Sequence, residues 1–407
     1  MTHTPRQSYL SHLECARCER RYDATELQTT CTCGAPLLCR YDLNDLARNI
    51  SRQQASKRDA SMWRYRELLP LLDVGNAVTL GEGFTPLLPL QWAAERGFPH
   101  VLVKDEGQNP TGTFKARGAA MGVTRLRELG VTSIALSSSG NAGDAWAAYA
   151  RRAGMSTTVF LPHDSPVATL TETALTGADV ATFTGHNSRG ARLARAHANA
   201  HGDFVPNTFQ EPYRLEGKKT IGLEIAEQLG WKTPDVVLFP TGGGIGVVGV
   251  WKAFTELIQL GWLTGKLPKF IVTQYTGCAP IVEAFRLKRE TCELWGTIDT
   301  LPGGLRAPKP IADFLVLKIL RDTGGDAIAV DNDVALDTVR EVMHSDGIFM
   351  CPEAGTAVAA LSELMRTKRV SADDNIVVIS TGSGLKYTSL FPVELRTVAD
   401  GAATSDR

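Results

Sequence analysis

Short apolar runs rich in β-branched residues recur along the chain from about residue 100 onward, and they alternate with longer segments of helical periodicity. Several runs have apolar side chains at consecutive positions, as buried parallel strands do. Strands that alternate with helices of roughly 10 to 15 residues indicate βαβ units and mainly parallel sheets. The predicted strands lie in VLVK (101–104), SIALSS (133–138), TTVFLP (157–162), ADVATF (178–183), DVVLFPT (235–241), KFIVTQYT (269–276), DAIAVD (326–331) and NIVVIST (375–381).

Three of the predicted strands end in a loop of small residues that opens a helix. These loops are SSSGNAG (137–143), PTGGGIG (240–246) and STGSG (380–384). In open α/β sheets, ligands bind at such carboxyl-end loops, because helix amino termini present unpaired N–H groups to anions. Three loops of this kind in one chain predict one composite binding site.

Composition and charge narrow the class of partner. The 407 residues, 43% of them hydrophobic, can bury a sizeable core, and more than one lobe is expected because single cores stop growing near roughly 250 to 300 residues. The 43 Lys and Arg against 44 Asp and Glu leave a net charge of −1 without blocks of one sign. The amino terminus does not resemble a secretory signal, and the longest uncharged stretch (236–251) falls short of the roughly 20 apolar residues of a membrane span. We expect a cytoplasmic protein that binds a small molecule and neither nucleic acid nor membrane.

One lysine stands in a sequence context that favours chemistry. Lys115 follows a turn that contains Asn109, Pro110 and Gly112, and it begins a helical pattern. At a helix amino terminus and beside Arg117, the dipole and a like charge are expected to lower the pKa of its amine and free it for imine formation. An arbitrary lysine is most often a solvated surface residue, so both interpretations stay open on these residues alone.

The loop TGGGIG follows an apolar strand, and its glycines let backbone amides close around a phosphate without side-chain obstruction. Gly244, Gly246 and Gly249 also match G-x-G-x-x-G, which is typical of dinucleotide sites. The next predicted strand ends in Gln274 and Tyr275, with no acidic residue where a ribose ligand is expected. On this motif alone, a dinucleotide, a monophosphate cofactor and a structural turn stay open.

Four motifs, in this order, resemble those of the fold type II family of pyridoxal-phosphate enzymes. NPTGTFKARG (109–118) is similar to the family's Schiff-base lysine segment, with Lys115 as the lysine. SSSGNAG resembles the loop whose asparagine, here Asn141, bonds the phenolic oxygen of the cofactor, and STGSGLK implies that Thr381 meets the pyridine nitrogen. TGGGIG resembles the phosphate cup, whose residues are Thr241, Gly242, Gly243, Gly244, Ile245 and Gly246. The resemblance implies pyridoxal 5'-phosphate and an α/β fold of two open, mainly parallel sheets flanked by helices, like tryptophan synthase β.

Within that family the chain resembles the threonine synthases most. Their signature elements are similar to GEGFTPL (81–87), NTFQEPYRLEGKKT (207–220), DGIFMCPEAGTA (346–357) and TGSGLK (381–386). The resemblance implies an amino-acid substrate whose carboxylate is held by Ser138, Ser139 and Gly140. It also implies that the phosphate of O-phosphohomoserine is bound by Asn207, Thr208 and Arg214, and a planar guanidinium offers paired donors to phosphate.

The chain departs from many threonine synthases at two positions, Ala116 and Ala142, where those enzymes carry an aspartate and a threonine. TGGG also resembles the cup of serine and threonine ammonia-lyases. We predict a threonine synthase that converts O-phosphohomoserine and water to threonine and phosphate. The alternative is a serine/threonine ammonia-lyase or a β-replacement enzyme of the same fold. From other classes, G-x-G-x-x-G suggests an NAD-dependent oxidoreductase, and the amino-terminal cysteines suggest a zinc-ribbon binding protein.

Five of the eight cysteines lie between Cys15 and Cys39. Cys15-x2-Cys18 and Cys31-x-Cys33 resemble a zinc ribbon, in which four sulfurs meet the tetrahedral demand of zinc. The second pair is one residue tighter than a usual knuckle, and Cys39 could replace a member. A structural zinc, a decayed ribbon and free thiols stay open, and a local cluster of this kind favours a reducing compartment over a disulfide framework.

These observations predict the following division of the chain. A zinc-ribbon-like segment covers residues 1–45, a large cofactor-binding α/β domain covers 46–100 and 206–400, and a small α/β domain covers 101–205. Residues 401–407 are expected to form a flexible tail. A homodimer is expected.

Overall fold

The structure is a computed structural model that describes residues 6–185 and 187–397. The strands are β1 (Leu10–Cys15), β2 (Arg21–Tyr22), β3 (Leu37–Tyr41), β4 (Leu87–Pro89), β5 (Val101–Asp105), β6 (Ser133–Ser137), β7 (Ser156–Pro162), β8 (Asp179–Phe183), β9 (Val236–Pro240), β10 (Lys269–Tyr275), β11 (Asp326–Val330) and β12 (Ile376–Ser380). The helices are α1 (Leu43–Asn49), α2 (Arg52–Ser56), α3 (Gln91–Ala94), α4 (Lys115–Glu128), α5 (Asn141–Arg152), α6 (Val167–Leu175), α7 (Asn187–His201), α8 (Tyr213–Gln228), α9 (Ile245–Gln259), α10 (Pro280–Arg286), α11 (Asp313–Asp322), α12 (Asn332–Asp346) and α13 (Pro352–Arg366). Short 3₁₀ helices span Met62–Leu68, Val74–Asn76, Glu106–Gln108, Pro110–Gly112 and Gly384–Leu390.

The larger layer is a six-stranded sheet of order β11-β10-β9-β12-β5-β4. Its pairs are parallel except for β4 with β5 at one edge. Every residue of β9 is buried, and its alternate side chains enter different cores. Val236 and Leu238 pack in a cluster with residues of α12 and α13, whereas Val237 and Phe239 pack with residues of α8 and α9. Helices on both faces therefore explain the consecutive apolar positions of this strand.

A second, three-stranded parallel sheet has the order β6-β7-β8. Its inner side chains pack in one cluster with alanine-rich faces of α4 and α5. All eight predicted strands are present, and each of their ends agrees with the prediction to within one residue, which confirms the predicted α/β architecture. The structure adds β4 and the amino-terminal strands, which are too short or too polar to stand out as apolar runs.

The predicted division into domains stays a prediction, but one strand lies on the other side of its boundary. β5, which begins at the predicted start of the small domain, pairs with β12 so that Val101 lies opposite Ile376. It therefore belongs to the six-stranded sheet, and we propose that the small domain begins after Asp105. The predicted tail, residues 401–407, lies outside the described residues.

The amino-terminal segment forms an antiparallel sheet of order β2-β1-β3. Leu37 and Cys39 of β3 are buried in the same cluster as residues of α4 and α5. The Tyr41 hydroxyl donates to Glu216 Oε2 of α8 at 2.9 Å, so this sheet is anchored on the body of the protein. Within the described ranges, no helix combines the length and the apolar character needed to cross a membrane.

Candidate active site

The carboxyl ends of β9 and β12 and the first turns of α4, α5, α9 and α13 meet around one cavity of about 460 Å³, its open mouth included. Lys115, Asn141 and Thr381 line it, together with the entire predicted cup from Thr241 to Gly246. These residues are far apart in the sequence, and the structure brings them to a single site. The walls are completed by Phe114, Phe239, Pro240, Val247, Gly304, Leu305 and Glu353.

Lys115 is the first residue of α4, and its Nζ atom lies 3.9 Å from the centre of the Phe114 ring. Part of its side chain is open to the cavity, and protein encloses the rest. Burial lowers the pKa of Lys115 to about 8, while the negative charge of Glu353 opposes the shift and Arg214 adds to it. An amine with this pKa is uncharged in a useful fraction near neutral pH, as a nucleophile or base requires.

The lowered pKa of Lys115 agrees with the sequence-based expectation, but the expected part played by Arg117 is wrong. Arg117 is fully buried and turned away from the cavity, where its guanidinium donates to Glu106 at 2.6 Å and to Glu224 at 2.7 Å. Two carboxylates balance its charge, so the removal of Lys115 from water is the main cause of the shift.

The glycine loop has the shape and the donors of an anion site. A Cβ on Gly242 would lie 2.3 Å from the Gly304 carbonyl oxygen, and Gly244 has φ +86°, so neither position accepts a side chain without rearrangement. The space beside Gly243 is open, because the nearest atom to a Cβ there is Thr208 Cγ2 at 3.7 Å. The loop leads into α9, whose first N–H groups lack helical partners. The cup therefore fits the phosphate of pyridoxal 5'-phosphate.

The other glycines of G-x-G-x-x-G serve packing between elements. A Cβ on Gly246 would lie 2.3 Å from the Phe239 ring, and one on Gly249 would lie 3.1 Å from the Lys219 backbone nitrogen of α8. Close contact of α9 with β9 and α8 therefore accounts for these two glycines. The structure gives no support to a dinucleotide site at this motif.

The polar groups predicted to face the cofactor ring are held in place by neighbours. Asn141 Nδ2 donates to the Tyr387 hydroxyl at 2.8 Å, and its Oδ1 accepts from Thr169 Oγ1 at 3.3 Å. The second Nδ2 hydrogen is free to serve a ligand oxygen. Thr381 Oγ1 lies 3.4 Å from Cys351 Sγ, so its hydroxyl also stands within the cavity wall. An amide donor and a hydroxyl in one cavity with the cup fit the cofactor's phenolic oxygen and ring nitrogen.

The residues predicted for the substrate carboxylate form the turn that leads into α5. Ser138 Oγ accepts from the Gly140 backbone nitrogen at 3.1 Å, and Gly140 has φ +142°. Ser139 is partly exposed. These three residues are not part of the described cavity wall. They directly precede Asn141, which does line the cavity.

The residues predicted for the substrate phosphate lie between that turn and the cup. Asn207 Oδ1 accepts from the Ser137 backbone nitrogen at 3.4 Å, and the Thr208 methyl approaches Gly243. Arg214 donates to Thr208 Oγ1 at 3.1 Å, to Glu211 Oε1 at 2.7 Å and to the Pro206 carbonyl. Its side chain is buried, and burial lowers its pKa while Glu211 opposes the shift. Arg214 thus contacts Thr208, the residue that approaches the cup, and Glu211 balances part of its charge.

Sequence reasoning missed two residues of the site. Glu353 Oε1 accepts from the Tyr387 hydroxyl and from the Gly304 backbone nitrogen, each at 2.8 Å. Glu353 lies in DGIFMCPEAGTA, but an acidic residue in the first turn of a helix is commonly explained by the helix dipole. Tyr387 follows STGSGLK directly, and no local pattern marks it as facing Asn141.

The four predicted zinc ligands come together at the amino-terminal sheet. The Sγ atoms of Cys15, Cys18, Cys31 and Cys33 all lie within 4.8 Å of one another. Cys15 and Cys33, and likewise Cys18 and Cys31, have Sγ atoms 3.5 Å apart. Sulfurs around a tetrahedral zinc with Zn–S bonds of about 2.3 Å are about 3.8 Å apart, so the cluster fits the ion. Cys39 is not a member, because it is buried with its Sγ toward the Pro212 carbonyl.

The fold, the lysine and the glycine cup define a class of enzyme, and the comparisons agree. The chain belongs to the pyridoxal-phosphate-dependent enzyme family, since residues 78–382 match the family described as "Pyridoxal-phosphate dependent enzyme". Pyridoxal 5'-phosphate is therefore its cofactor, as predicted.

Curated relatives place the chain among the threonine synthases within that class. It is 34% identical over 374 residues to the threonine synthase of Methanocaldococcus jannaschii, with 91% of this chain and 92% of the relative covered. It is 33% identical over 378 residues to that of Methanosarcina acetivorans, with 92% of each covered. Among solved structures, diaminopropionate ammonia lyase from Escherichia coli matches with a TM-score of 0.65 and 21% identity over 77% of this chain and 87% of that one, which shows the shared fold.

Proposed function

We propose that this threonine synthase converts O-phosphohomoserine and water to threonine and phosphate. The observation that carries the proposal is the placement of Thr208 between Arg214 and Gly243, which puts a guanidinium beside, and separate from, the cofactor's phosphate cup. A substrate with its own phosphate needs such a second anion site. The family relationship supports the same activity.

We assign the cofactor to Lys115, to Asn141 and Thr381, and to the cup from Thr241 to Gly246. When bound, pyridoxal 5'-phosphate supplies an electron sink for negative charge at the substrate Cα. We assign to Lys115 Nζ, which lines the cavity, the role of holding and moving a proton between the substrate Cα and its neighbouring carbons. With a pKa of about 8, roughly a tenth of the amine is uncharged at pH 7, so the group can act as base and as acid.

One observation favours the alternative, a serine/threonine ammonia-lyase. Glu211 is buried, accepts from Arg214 Nε, and also accepts from the backbone nitrogens of Tyr213 and Arg214 at 2.7 and 3.0 Å. A guanidinium that already has a carboxylate partner attracts a dianionic substrate less strongly than a free one. Ala142 also favours the ammonia-lyase, because many threonine synthases carry a threonine at that position.

Phosphate release and ammonia release separate the two candidates. Wild-type protein given O-phosphohomoserine, threonine and serine in parallel is expected to release phosphate in step with threonine formation. Little 2-oxobutanoate or pyruvate should form from threonine or serine. Rapid oxo-acid formation with no threonine-linked phosphate release would assign the chain to the ammonia-lyases.

We further propose that Cys15, Cys18, Cys31 and Cys33 hold one structural zinc. Backbone nitrogens of Arg17 and Cys18 lie 3.4 Å from Cys15 Sγ and that of Cys33 lies 3.5 Å from Cys31 Sγ, as suits thiolates that bind a metal. Four protein ligands leave no position for water, so the role is structural.

Elemental analysis of protein purified without chelator is expected to give one zinc per chain. The double variant Cys18→Ser/Cys33→Ser should lose the ion and melt at a lower temperature, because the sheet of β1, β2 and β3 loses its cross-link. Cys39→Ala, the matched control outside the cluster, should keep full zinc content. Metal well below one equivalent in the wild-type protein would refute the site.

We also propose that the protein is a homodimer and that it is located in the cytoplasm. The cysteines are free in the described structure, including the buried Cys278, Cys292 and Cys351, which is in keeping with a reducing compartment. Sedimentation analysis tests the dimer.

A further inference from the structure

Glu353 presents a buried carboxylate oxygen to the cofactor cavity. The residue is 4% exposed and lines the cavity beside Lys115 and Thr381. Its Oε1 atom has two donors, but its Oε2 atom is buried and has no hydrogen-bond partner among the described residues. An unpartnered buried carboxylate oxygen is costly, so such a group commonly serves a ligand or a nearby positive charge.

The Glu353 carboxylate and the Lys115 amine both lie close to Gly304. A Cβ built on Gly304 would lie 3.6 Å from Glu353 Oε1 and 3.8 Å from Lys115 Nζ. The Glu353 side chain is held rigidly, because the Tyr387 hydroxyl and the Gly304 backbone nitrogen fix one oxygen while α13 fixes its backbone. Fixed neighbours thus hold the carboxylate in the cavity wall, as a preorganised site requires.

We propose that Glu353 is the counter-charge of this active site: its carboxylate stabilises the protonated form of Lys115 Nζ in the cofactor-free protein. The inference rests on the proposed assignment of this cavity to the cofactor and deepens it.

Other charged and titratable groups lie around Lys115 Nζ and Glu353, and they also influence the pKa of the lysine amine. Around Lys115 these are Arg214, Cys351 and Asp144. Lys218, a residue of α8, also belongs to this set, and its pKa is lowered by burial first and by Lys115 next. Around Glu353 they are Tyr275, Tyr387 and Cys351, whose pKa values are raised by burial first and then by the Glu353 charge. None of these groups is altered in Glu353→Gln, which keeps the shape of the side chain and removes only its charge.

The test is the pH dependence of pyridoxal 5'-phosphate uptake by the cofactor-free protein, measured by the growth of visible absorbance. Uptake requires the uncharged amine, so in the wild-type protein its rate should fall as the pH drops through the pKa of Lys115, about 8. In Glu353→Gln the ammonium loses its counter-charge, so the midpoint should move to lower pH by about one unit. Glu353→Asp, which keeps the charge, should stay close to wild type.

Tyr387→Phe is the matched control, because it removes the contact to Glu353 and keeps the carboxylate. Its midpoint should move by only a few tenths of a pH unit, and an unchanged midpoint in Glu353→Gln, or an equal shift in Tyr387→Phe, would overturn the counter-charge. If Glu353→Gln does not fold, the pair Glu353→Asp and Glu353→Asn supplies the same comparison with a side chain shorter by one carbon. A wild-type protein that takes up no cofactor at all would refute the proposed cofactor site instead.

Discussion

Lys115→Ala is expected to lower turnover by at least about a thousandfold and to abolish the visible absorbance of the cofactor-loaded protein, because no other amine lines the described part of the cavity. The fold should survive. The pKa of Lys115 is lowered by burial, which means that the folded state disfavours its charged form, so removal of the amine should not reduce stability near neutral pH. Absorbance spectra, activity and thermal unfolding of the variant test these expectations together.

Lys218 is the matched control lysine. Its Nζ atom lies 4.2 Å from the centre of the same Phe114 ring, but it donates to the Phe114 carbonyl at 3.1 Å and is not part of the cavity wall as described. Lys218→Met should therefore keep the absorbance. Borohydride reduction followed by peptide mapping should label Lys115, and a label on Lys218 or Lys386 would show that the catalytic lysine is misassigned.

Arg214→Ala is expected to lower kcat/KM for O-phosphohomoserine by roughly one to two orders of magnitude. Loss of a charge-assisted contact typically costs about 1.5 to 3 kcal/mol, and Arg214 donates to Thr208, whose methyl group lies beside Gly243 of the cup. Cofactor affinity should be nearly unchanged, because the glycine loop holds the cofactor phosphate. Steady-state kinetics with O-phosphohomoserine and cofactor titration measure the two effects separately.

Arg214→Ala also leaves the buried Glu211 without its guanidinium partner. A loss of protein stability must therefore be distinguished from a loss of substrate binding. Glu211→Gln is the informative control. It keeps one side-chain oxygen that can accept from the backbone nitrogens at the start of α8, and it removes the negative charge that balances Arg214, so the KM for O-phosphohomoserine should stay the same or fall. Equal losses in both variants, matched by equal losses in melting temperature, would mean that the pair is only structural.

The sequence by itself determined the strands, the loops and the chemistry that those loops carry. β9 and β12 are visible as runs such as DVVLFPT and NIVVIST because strands covered on both faces need apolar side chains at every position. The glycines of TGGGIG are visible because a backbone that approaches an anion or takes φ +86° excludes side chains. These requirements apply to consecutive residues of one segment, so the sequence of that segment reveals them.

Only the tertiary structure decided which charges balance one another and which side chains share a cavity. Arg117 is next but one to Lys115 in the chain, yet its partner Glu224 is 107 residues away. Glu353 meets Tyr387 and Gly304, and Cys39 lies outside the cysteine cluster despite its nearness in sequence. A buried charge is stabilised by whichever opposite charge the packing brings near it, and no periodicity along the chain encodes that meeting. The direction of the Lys115 pKa shift agrees with the prediction, but its main cause, burial, and the carboxylate that shares its cavity could not be inferred from the sequence around Lys115.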